Sequence, residues 1–296
     1  MTHSLHLPRT SRDGGNGSVS ITPEEAGWTY TGLTIIELAA GEARAFDTED
    51  CEMAVLPLAG SCTVECEGES FRLRGRDHVF ARVTDFAYVP IGARVTVQSA
   101  RGGRFALPNA RATRRLDPRY GPAEEVPVEI RGAGRASRQI NNFLEPKAFP
   151  ADQLVAVEVV TPEGNWSSYP PHKHDEPGTS EAVLEEIYYF EMGRASNGRV
   201  EMGKGFGLQR LYTADGAIDL TEEVRHGDSV LIPRGYHGPS VAAPGYHMYY
   251  LNVLAGPGEQ RSLTFSDDPE HAWVRASWQN QFPDPRLPLC THEGAR

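Results

Sequence analysis

Residues 169–176 read Tyr-Pro-Pro-His-Lys-His-Asp-Glu, and residues 185–190 read Glu-Glu-Ile-Tyr-Tyr-Phe. Side chains of an extended chain alternate between two faces, so His172 and His174 point to the same side. The two prolines keep the approach extended, because a residue before proline avoids the helical region. The turn-rich residues 177–180 then lead into a second strand that carries two carboxylates. This pattern predicts a hairpin that presents two imidazoles opposite a carboxylate, the beginning of a divalent metal site.

Short strands are predicted along most of the chain, separated by glycine-rich and charged turns. In the first half they are Leu33–Leu38, Met53–Leu58, Ser61–Cys66, Ser70–Leu73, His78–Phe80, Phe86–Val89, Arg94–Gln98 and Arg104–Ala106. In the second half they are Gln153–Val160, Trp166–Tyr169, Glu185–Glu191, Phe206–Tyr212, Glu222–Val224, Ser229–Ile232 and Tyr246–Leu254. This rhythm is typical of an all-β sandwich or small barrel with few short helices. One helical turn is predicted at Thr22–Glu25, where an N-cap, a proline and two acids follow one another.

The two halves share a motif. Residues 75–78 (Gly-Arg-Asp-His) and 89–93 (Val-Pro-Ile-Gly-Ala) parallel residues 227–237, which read Gly-Asp-Ser-Val-Leu-Ile-Pro-Arg-Gly-Tyr-His. Both end on a Pro-x-Gly turn that feeds another strand, and only the second carries a histidine, His237, just past the turn. We therefore predict a duplicated barrel in which one copy kept the metal. The expected parts are an N-terminal arm (1–20), an N-terminal barrel without metal plus a crossover (21–142), and a C-terminal metal-binding barrel with a tail (143–296).

Composition excludes several functional classes. The chain has 296 residues and a net charge of −11, which disfavours a nucleic-acid partner. No apolar run approaches the length of a membrane span, and residues 1–18 lack the apolar centre of a secretory signal. The four cysteines lack zinc-ribbon spacing, so reduced thiols in a cytoplasmic protein are expected.

Residues 227–237 have the glycine, proline, glycine and histidine spacing that resembles the second signature of cupin barrels. The His-x-His pair at residues 172–174, followed by a glutamate, resembles the first signature. Longer segments closely resemble the 5-deoxy-glucuronate isomerase family of myo-inositol catabolism. They are Ser168–Asp175, Leu184–Tyr189, Gly205–Thr213, Pro233–His237, Tyr249–Val253, Asp284–Leu289 and Ala26–Trp28. The resemblance implies a bicupin fold of two jelly-roll barrels. It also implies a metal-dependent aldose–ketose isomerase that converts 5-deoxy-D-glucuronate to 2-deoxy-5-keto-D-gluconate through a metal-stabilised enediolate.

The same resemblance implies the ligands of one divalent metal per chain: His172, His174, Glu186 and His237. Strand alternation alone does not choose between Glu186 and its neighbour Glu185. Three imidazoles and a carboxylate suit zinc, manganese, iron or nickel, and we favour zinc or manganese.

The substrate and the proton transfer call for further groups. The acid end of the sugar needs an arginine fork, for which the candidates are Arg210, Arg234 and Arg138. Each of these could instead pair with a surface acid. Glu185, Gln209 and Tyr250 are candidate catalytic residues in the pocket. Lys173 points away from the ligands by alternation, and we expect His226, His247 and His271 to pack or hydrogen-bond rather than to bind metal.

Three other functions fit the same ligands. The first is a related isomerase that acts on 5-keto-4-deoxyuronate, the second is a cupin dioxygenase with Fe(II), and the third is a non-catalytic bicupin that binds a sugar acid. We expect a small sugar acid as the partner, no nucleic acid, no membrane, and a homo-oligomer, either a dimer or larger.

Overall fold

The computed structural model describes residues 4–9, 19–178, 181–196 and 199–295. The first strands are β1 (His6–Leu7), β2 (Val19–Ile21), β3 (Thr31–Leu38), β4 (Ala43–Asp47), β5 (Cys51–Cys66), β6 (Glu69–Arg76), β7 (Phe86–Val89), β8 (Arg94–Gln98), β9 (Gly103–Arg111) and β10 (Arg119–Gly121). They are followed by β11 (Val128–Arg131), β12 (Arg138–Leu144), β13 (Val155–Thr161), β14 (Trp166–Ser167), β15 (His172–Lys173), β16 (Glu185–Ser196) and β17 (Arg199–Met202). The last strands are β18 (Gly207–Tyr212), β19 (Asp219–Val224), β20 (Ser229–Ile232), β21 (Tyr236–Ala242), β22 (Tyr246–Ala255) and β23 (Ser266–Asp267).

Helices are few and short. The α-helices are α1 (Pro23–Ala26) and α2 (Trp273–Ser277), and single 3-10 turns cover Ala123–Glu125, Gly134–Ala136 and Trp278–Asn280. The predicted turn at Thr22–Glu25 is confirmed as a capping box, in which each of these two side chains accepts the other residue's N–H at 3.2 Å. Within the described ranges, no helix has the length and apolar character needed to cross a membrane.

The strands form three sheets. A nine-stranded sheet in the N-terminal half follows the order β10-β7-β5-β9-β3-β2, with β4, β6 and β8 added at its side. The C-terminal half has an eight-stranded sheet of order β1-β20-β16-β22-β13-β12-β11, with β17 on β16. It also has a six-stranded sheet of order β19-β18-β21-β15-β23, with β14 on β21. The strands that carry predicted metal ligands therefore come from both C-terminal sheets: β15 and β21 from the six-stranded sheet and β16 from the eight-stranded sheet.

Strand β16 lies between two cores and shows why the C-terminal half can hold a polar centre. Ile187 and Tyr189 pack in a core shared with the N-terminal half, whereas Tyr188 and Phe190 belong to the core of the C-terminal half. Because side chains alternate along the strand, Glu186 faces the same side as Tyr188.

The two Pro-x-Gly turns have the same backbone form. Gly92 and Gly235 both have positive φ, at 64° and 95°, and each precedes a strand, β8 and β21 respectively. A positive φ favours glycine because it has no Cβ. This correspondence supports the predicted duplication.

The sheets draw on more of the chain than the predicted parts suggest. The arm assigned to residues 1–20 contributes β1 and β2, while residues 1–3 and 10–18 lie outside the described residues. The predicted crossover, residues 107–142, contains β11 and the first part of β12, and both strands lie in the eight-stranded C-terminal sheet. The strand predicted at His78–Phe80 is wrong: the chain turns there, and the Ala81 N–H donates to the His78 carbonyl at 2.9 Å.

A buried ion pair joins the two halves. The Arg76 guanidinium on β6 contacts the Glu158 carboxylate on β13, and both side chains are almost fully buried. The Tyr249 hydroxyl and the Asn141 amide also donate to this carboxylate, at 2.8 and 3.0 Å. Such a pair is stable only while every charge and lone pair has a partner.

We expect Glu158→Gln to lower the free energy of unfolding by about 3–5 kcal/mol, because the Arg76 charge stays buried without a counter-ion. Chemical denaturation of the full chain measures this loss. The control is Arg94→Gln, which breaks an exposed pair with Asp47 at 2.6 Å and should change the free energy by less than about 1 kcal/mol. Equal effects of the two changes would contradict the interpretation.

Candidate metal centre

Three histidines meet where the two C-terminal sheets face each other. His172 on β15 is paired in register with His237 on β21, and His174 follows two residues later. Each ring has its Nδ1 within hydrogen-bond distance of a backbone carbonyl: His172 at 3.3 Å from Pro170, His174 at 3.1 Å from Leu184, and His237 at 3.2 Å from Gly235. A Nδ1–H that donates to a carbonyl leaves the Nε2 lone pair free to bind a metal.

Glu186 brings an oxygen to the same point. Its Oε2 lies 2.9 Å from His174 Nε2 and 3.1 Å from His237 Nε2. These three buried residues are the described group whose ligand atoms all lie within 4.8 Å of one another. Despite its short distance to the carboxylate, the buried His237 Nε2 has no hydrogen-bond partner in the described chain, because the direction is wrong for a bond. An Nε2 lone pair without a hydrogen bond at this position fits a metal ion bound by both His237 and Glu186.

Electrostatics favour the ligand forms of His172 and Glu186. Burial and the neighbouring imidazoles of His237 and His174 hold the pKa of His172 well below its usual value, which keeps this ring neutral. Burial tends to raise the pKa of Glu186, but the two imidazoles beside it outweigh that effect and lower it, so the carboxylate is ionised.

His172 is the outlying member of the predicted set. Its ring centroid lies 4.4 Å from that of His237, and it lines the same cavity as His174 and Glu186. Its nitrogens lie outside the group of three mutually close ligand atoms. The structure thus places His172, His174 and Glu186 in the lining of one cavity, and it brings His174, Glu186 and the fully buried His237 within ligand distance of one another.

The cavity beside these residues also contains a buried arginine. Arg138 on β12 is 4% exposed and donates to the carbonyls of Ala136 and Tyr169, at 3.1 and 3.3 Å. Its guanidinium lies over the Trp278 ring, 5.7 Å from the centroid, and burial lowers the pKa of Arg138 to about 10. No described carboxylate lies within 4.0 Å of it. A buried charge of this kind is costly unless a ligand pairs with it.

A second arginine in the cavity differs from the first. Arg131 on β11 forms a two-pronged pair with Glu129, at 2.7 and 2.8 Å. Its charge is therefore already matched, and Arg138 is the stronger candidate for an anionic ligand.

Three hydroxyl groups form a short chain in the cavity wall. Ser168 Oγ lies 3.0 Å from both the Tyr188 and the Tyr250 hydroxyl oxygens, and the two rings stack at 4.8 Å. Tyr250 is one of the predicted catalytic residues. Strand alternation indicates Tyr188, because it places this residue on the same face of β16 as Glu186. No alternation pattern indicates Ser168, which adopts a rare φ of 46°.

Four other predicted site residues lie outside the lining of this cavity. The Glu185 carboxylate accepts the N–H groups of residues 29–31 at 2.7, 2.7 and 3.0 Å, because alternation turns it towards the N-terminal half. Gln209 is buried against Ser240 and does not line the cavity. The two remaining arginines pair with acids on the outside: Arg210 with Asp219, and Arg234 with Asp215 at 3.1 Å. The sequence carries no information about these tertiary partners.

Known solved structures confirm the fold. An oxalate decarboxylase of Lactobacillus farciminis, a cupin, superposes with a TM-score of 0.63 at 14% identity, covering 96% of this chain and 98% of that one. The oxalate decarboxylase of Bacillus subtilis, which has Mn(II) centres, gives a TM-score of 0.61 at 13% identity, covering 90% and 80%. At such low identity these likenesses bear on the fold alone, and the predicted bicupin architecture is confirmed.

More similar proteins indicate the family. The 5-deoxy-glucuronate isomerase of Geobacillus kaustophilus is 42% identical over 92% of this chain and 96% of its own length. An IolB-like protein from Salmonella typhimurium LT2 is 35% identical in its crystal structure, with a TM-score of 0.83, covering 92% of this chain and 99% of that one. The model of the KduI/IolB family matches residues 5–274. With a match of this extent, the chain belongs to the KduI/IolB family.

Proposed function

We propose that this protein is a metal-dependent aldose–ketose isomerase that converts 5-deoxy-D-glucuronate to 2-deoxy-5-keto-D-gluconate in myo-inositol catabolism. The observation that carries this proposal is a single cavity that holds both a histidine–glutamate cluster and the buried guanidinium of Arg138. A sugar acid presents a reacting carbonyl at one end and a carboxylate at the other. The name of its 42%-identical relative supports the same substrate.

In this proposal the metal is held by His172, His174, Glu186 and His237. Three imidazoles and one carboxylate suit zinc or manganese, and also iron or nickel. When bound, a divalent metal polarises the carbonyl and hydroxyl oxygens of a 2-hydroxyaldehyde and so acidifies its C2 proton.

Arg138 would bind the far end of the substrate. A guanidinium matches a carboxylate through two parallel hydrogen bonds, and burial strengthens the pair because little water competes. The stacking of Arg138 on Trp278 and its bonds to two carbonyls hold the group in place before the substrate arrives. This anchoring would orient the aldehyde end towards the histidines.

The hydroxyl chain is suited to moving a proton between substrate oxygens. Aldose–ketose conversion moves one proton from C2 to C1 and another from the C2 hydroxyl to the C1 oxygen. Burial raises the pKa of Tyr250, so its hydroxyl carries a proton near neutral pH. With Ser168 between the two tyrosines, Tyr250 can donate to one oxygen while the chain accepts from the other.

We expect Tyr250→Phe to lower kcat by about 10²-fold while the metal content stays unchanged, because a proton donor is lost but no ligand is. Steady-state kinetics with metal analysis on the same preparation measure both. Tyr246→Phe, on the same strand but outside the cavity, is the matched control. If Tyr250→Phe keeps the kcat of the unmodified protein, the hydroxyl chain has no part in proton transfer.

The function itself is tested by following 5-deoxy-D-glucuronate in D₂O by NMR. We expect the ketone product to form with deuterium from the solvent at C1, and no oxygen to be consumed. Consumption of oxygen would point to the dioxygenase alternative. Turnover of 5-keto-4-deoxyuronate in place of the deoxy sugar would assign the related isomerase, and binding without turnover would indicate a non-catalytic bicupin.

A further inference from the structure

A second cavity, of about 590 Å³, opens in the N-terminal half. Its walls come from β5, β6, the segments after β6 and β8, and the C-terminal residues Glu293 and Gly294. Four arginines line it: Arg76 and three others, which are Arg74, Arg82 and Arg101. It shares no lining residue with the metal cavity.

The three guanidinium groups have no acidic partner in the part of the chain that the structure describes. Among those residues, no carboxylate lies within ion-pair distance, 4.0 Å, of Arg74, Arg82 or Arg101. The chain has a net charge of −11, so acids are abundant on its surface. Three such arginines at one cavity therefore need an explanation.

Arg82 shows that this site is more than a solvated surface. It is 9% exposed, and its guanidinium donates to the carbonyls of Val83 and Gly75, at 3.2 and 3.5 Å. Burial, with the charge of Arg74 acting the same way, lowers the pKa of Arg82 despite the opposing charges of Asp85 and Glu124. A cation held out of water beside a like charge is stabilised by an anion that binds between them.

We infer that this cavity binds a small oxyanion, and that the phosphate group of a small metabolite fits it best. Guanidinium forks bind phosphate oxygens through paired hydrogen bonds, and three of them can surround one tetrahedral dianion. The acids at the rim, Asp77 and Glu293, leave an excess of positive charge among these five groups. The fourth arginine of the lining, Arg76, is already neutralised by Glu158.

Isothermal titration of the full chain with inorganic phosphate, at fixed ionic strength, tests this site. We expect saturable binding that weakens about 10-fold in Arg82→Gln and in Arg101→Gln, since each removes charge-assisted hydrogen bonds. Arg101 is exposed, so its variant tests the site even if Arg82→Gln fails to fold. Arg119→Gln, an exposed arginine away from the cavity, should leave the affinity within about 2-fold because salt screens distant charges.

Two further titrations distinguish this site from the metal cavity and from unspecific anion binding. Binding should be unchanged in His174→Ala, which lacks a metal ligand but keeps this cavity, so failure of the isomerase proposal leaves this test intact. Acetate should bind about 10-fold more weakly than phosphate, because it offers one negative charge and two oxygens. No saturable heat with phosphate, an equal loss in Arg119→Gln, loss in His174→Ala, or tighter binding of acetate would each overturn the inference.

Discussion

Glu186→Gln is expected to abolish metal binding and isomerase activity together, whereas Glu185→Gln, one residue away, keeps both. The Glu186 oxygen lies 2.9 and 3.1 Å from two imidazole nitrogens, while Glu185 binds backbone N–H groups of the other half. A metal supplies several kcal/mol of transition-state stabilisation, so its loss should lower kcat/KM by about 10³-fold or more. Elemental analysis of the purified variants measures the metal, and the NMR assay measures turnover.

His174→Ala should behave as Glu186→Gln does, because it removes a second ligand from the same group. His226→Ala is its control: this histidine is also largely buried but lies outside the cluster, and its loss should leave the metal content unchanged. Thermal denaturation of each variant separates ligand loss from unfolding. Activity that survives in a metal-free Glu186→Gln protein would refute the proposed metal chemistry.

Arg138→Gln is expected to lower kcat/KM for the sugar acid by about 30- to 4 × 10³-fold, as truncating one partner of a desolvated charge pair costs about 2–5 kcal/mol. Arg138→Lys should recover only part of this loss, because a lysine ammonium cannot form the two-pronged bond. Metal content should stay the same in both variants, since Arg138 is not a ligand.

A substrate analogue isolates the cause. With the carboxylate replaced by a primary alcohol, the unmodified protein and Arg138→Gln should have similar kcat/KM values, because the charge that Arg138 recognises is gone. Arg210→Gln and Arg234→Gln serve as controls, since both side chains face outward and pair with acids. Equal losses in those controls would mean that general positive charge, rather than Arg138, attracts the substrate.

The sequence predicts the bounds of three strands correctly, one with alternating burial, Arg94–Gln98, and two that are buried throughout. Phe86–Val89, Arg94–Gln98 and Ser229–Ile232 begin and end in the structure where the pattern predicts. It misses β12, whose central residues Gln139 and Asn141 are polar yet buried. These amides are satisfied by distant partners, Cys290 and Glu158, which no local pattern can reveal.

The candidate site divides in the same way. The histidines and Glu186 lie in three short segments, and the resemblance of these segments to the cupin signatures indicates them, although strand alternation alone leaves Glu185 as an alternative. The arginines show the limit of local patterns: Arg210 and Arg234 lie close to the motifs in sequence but each pairs with an acid, whereas Arg138, on a strand within the predicted connection, lines the cavity. Which acid an arginine pairs with depends on tertiary packing, and local sequence patterns do not contain this information.

The adjacent residues Glu185 and Glu186 link the packing of the two halves to the proposed metal site: Glu185 binds the N-terminal half, and Glu186 belongs to the ligand cluster. If relatives exchanged their first 30 residues, the incoming segment would have to offer Glu185 the same three backbone hydrogens, or the strand that carries Glu186 would lose an anchor. Crossover points between residues 31 and 185 should therefore be tolerated poorly in chimeric proteins. In shuffled libraries of this family, the functional chimeras should inherit residues 29–31 and the Glu185–Glu186 pair from the same parent.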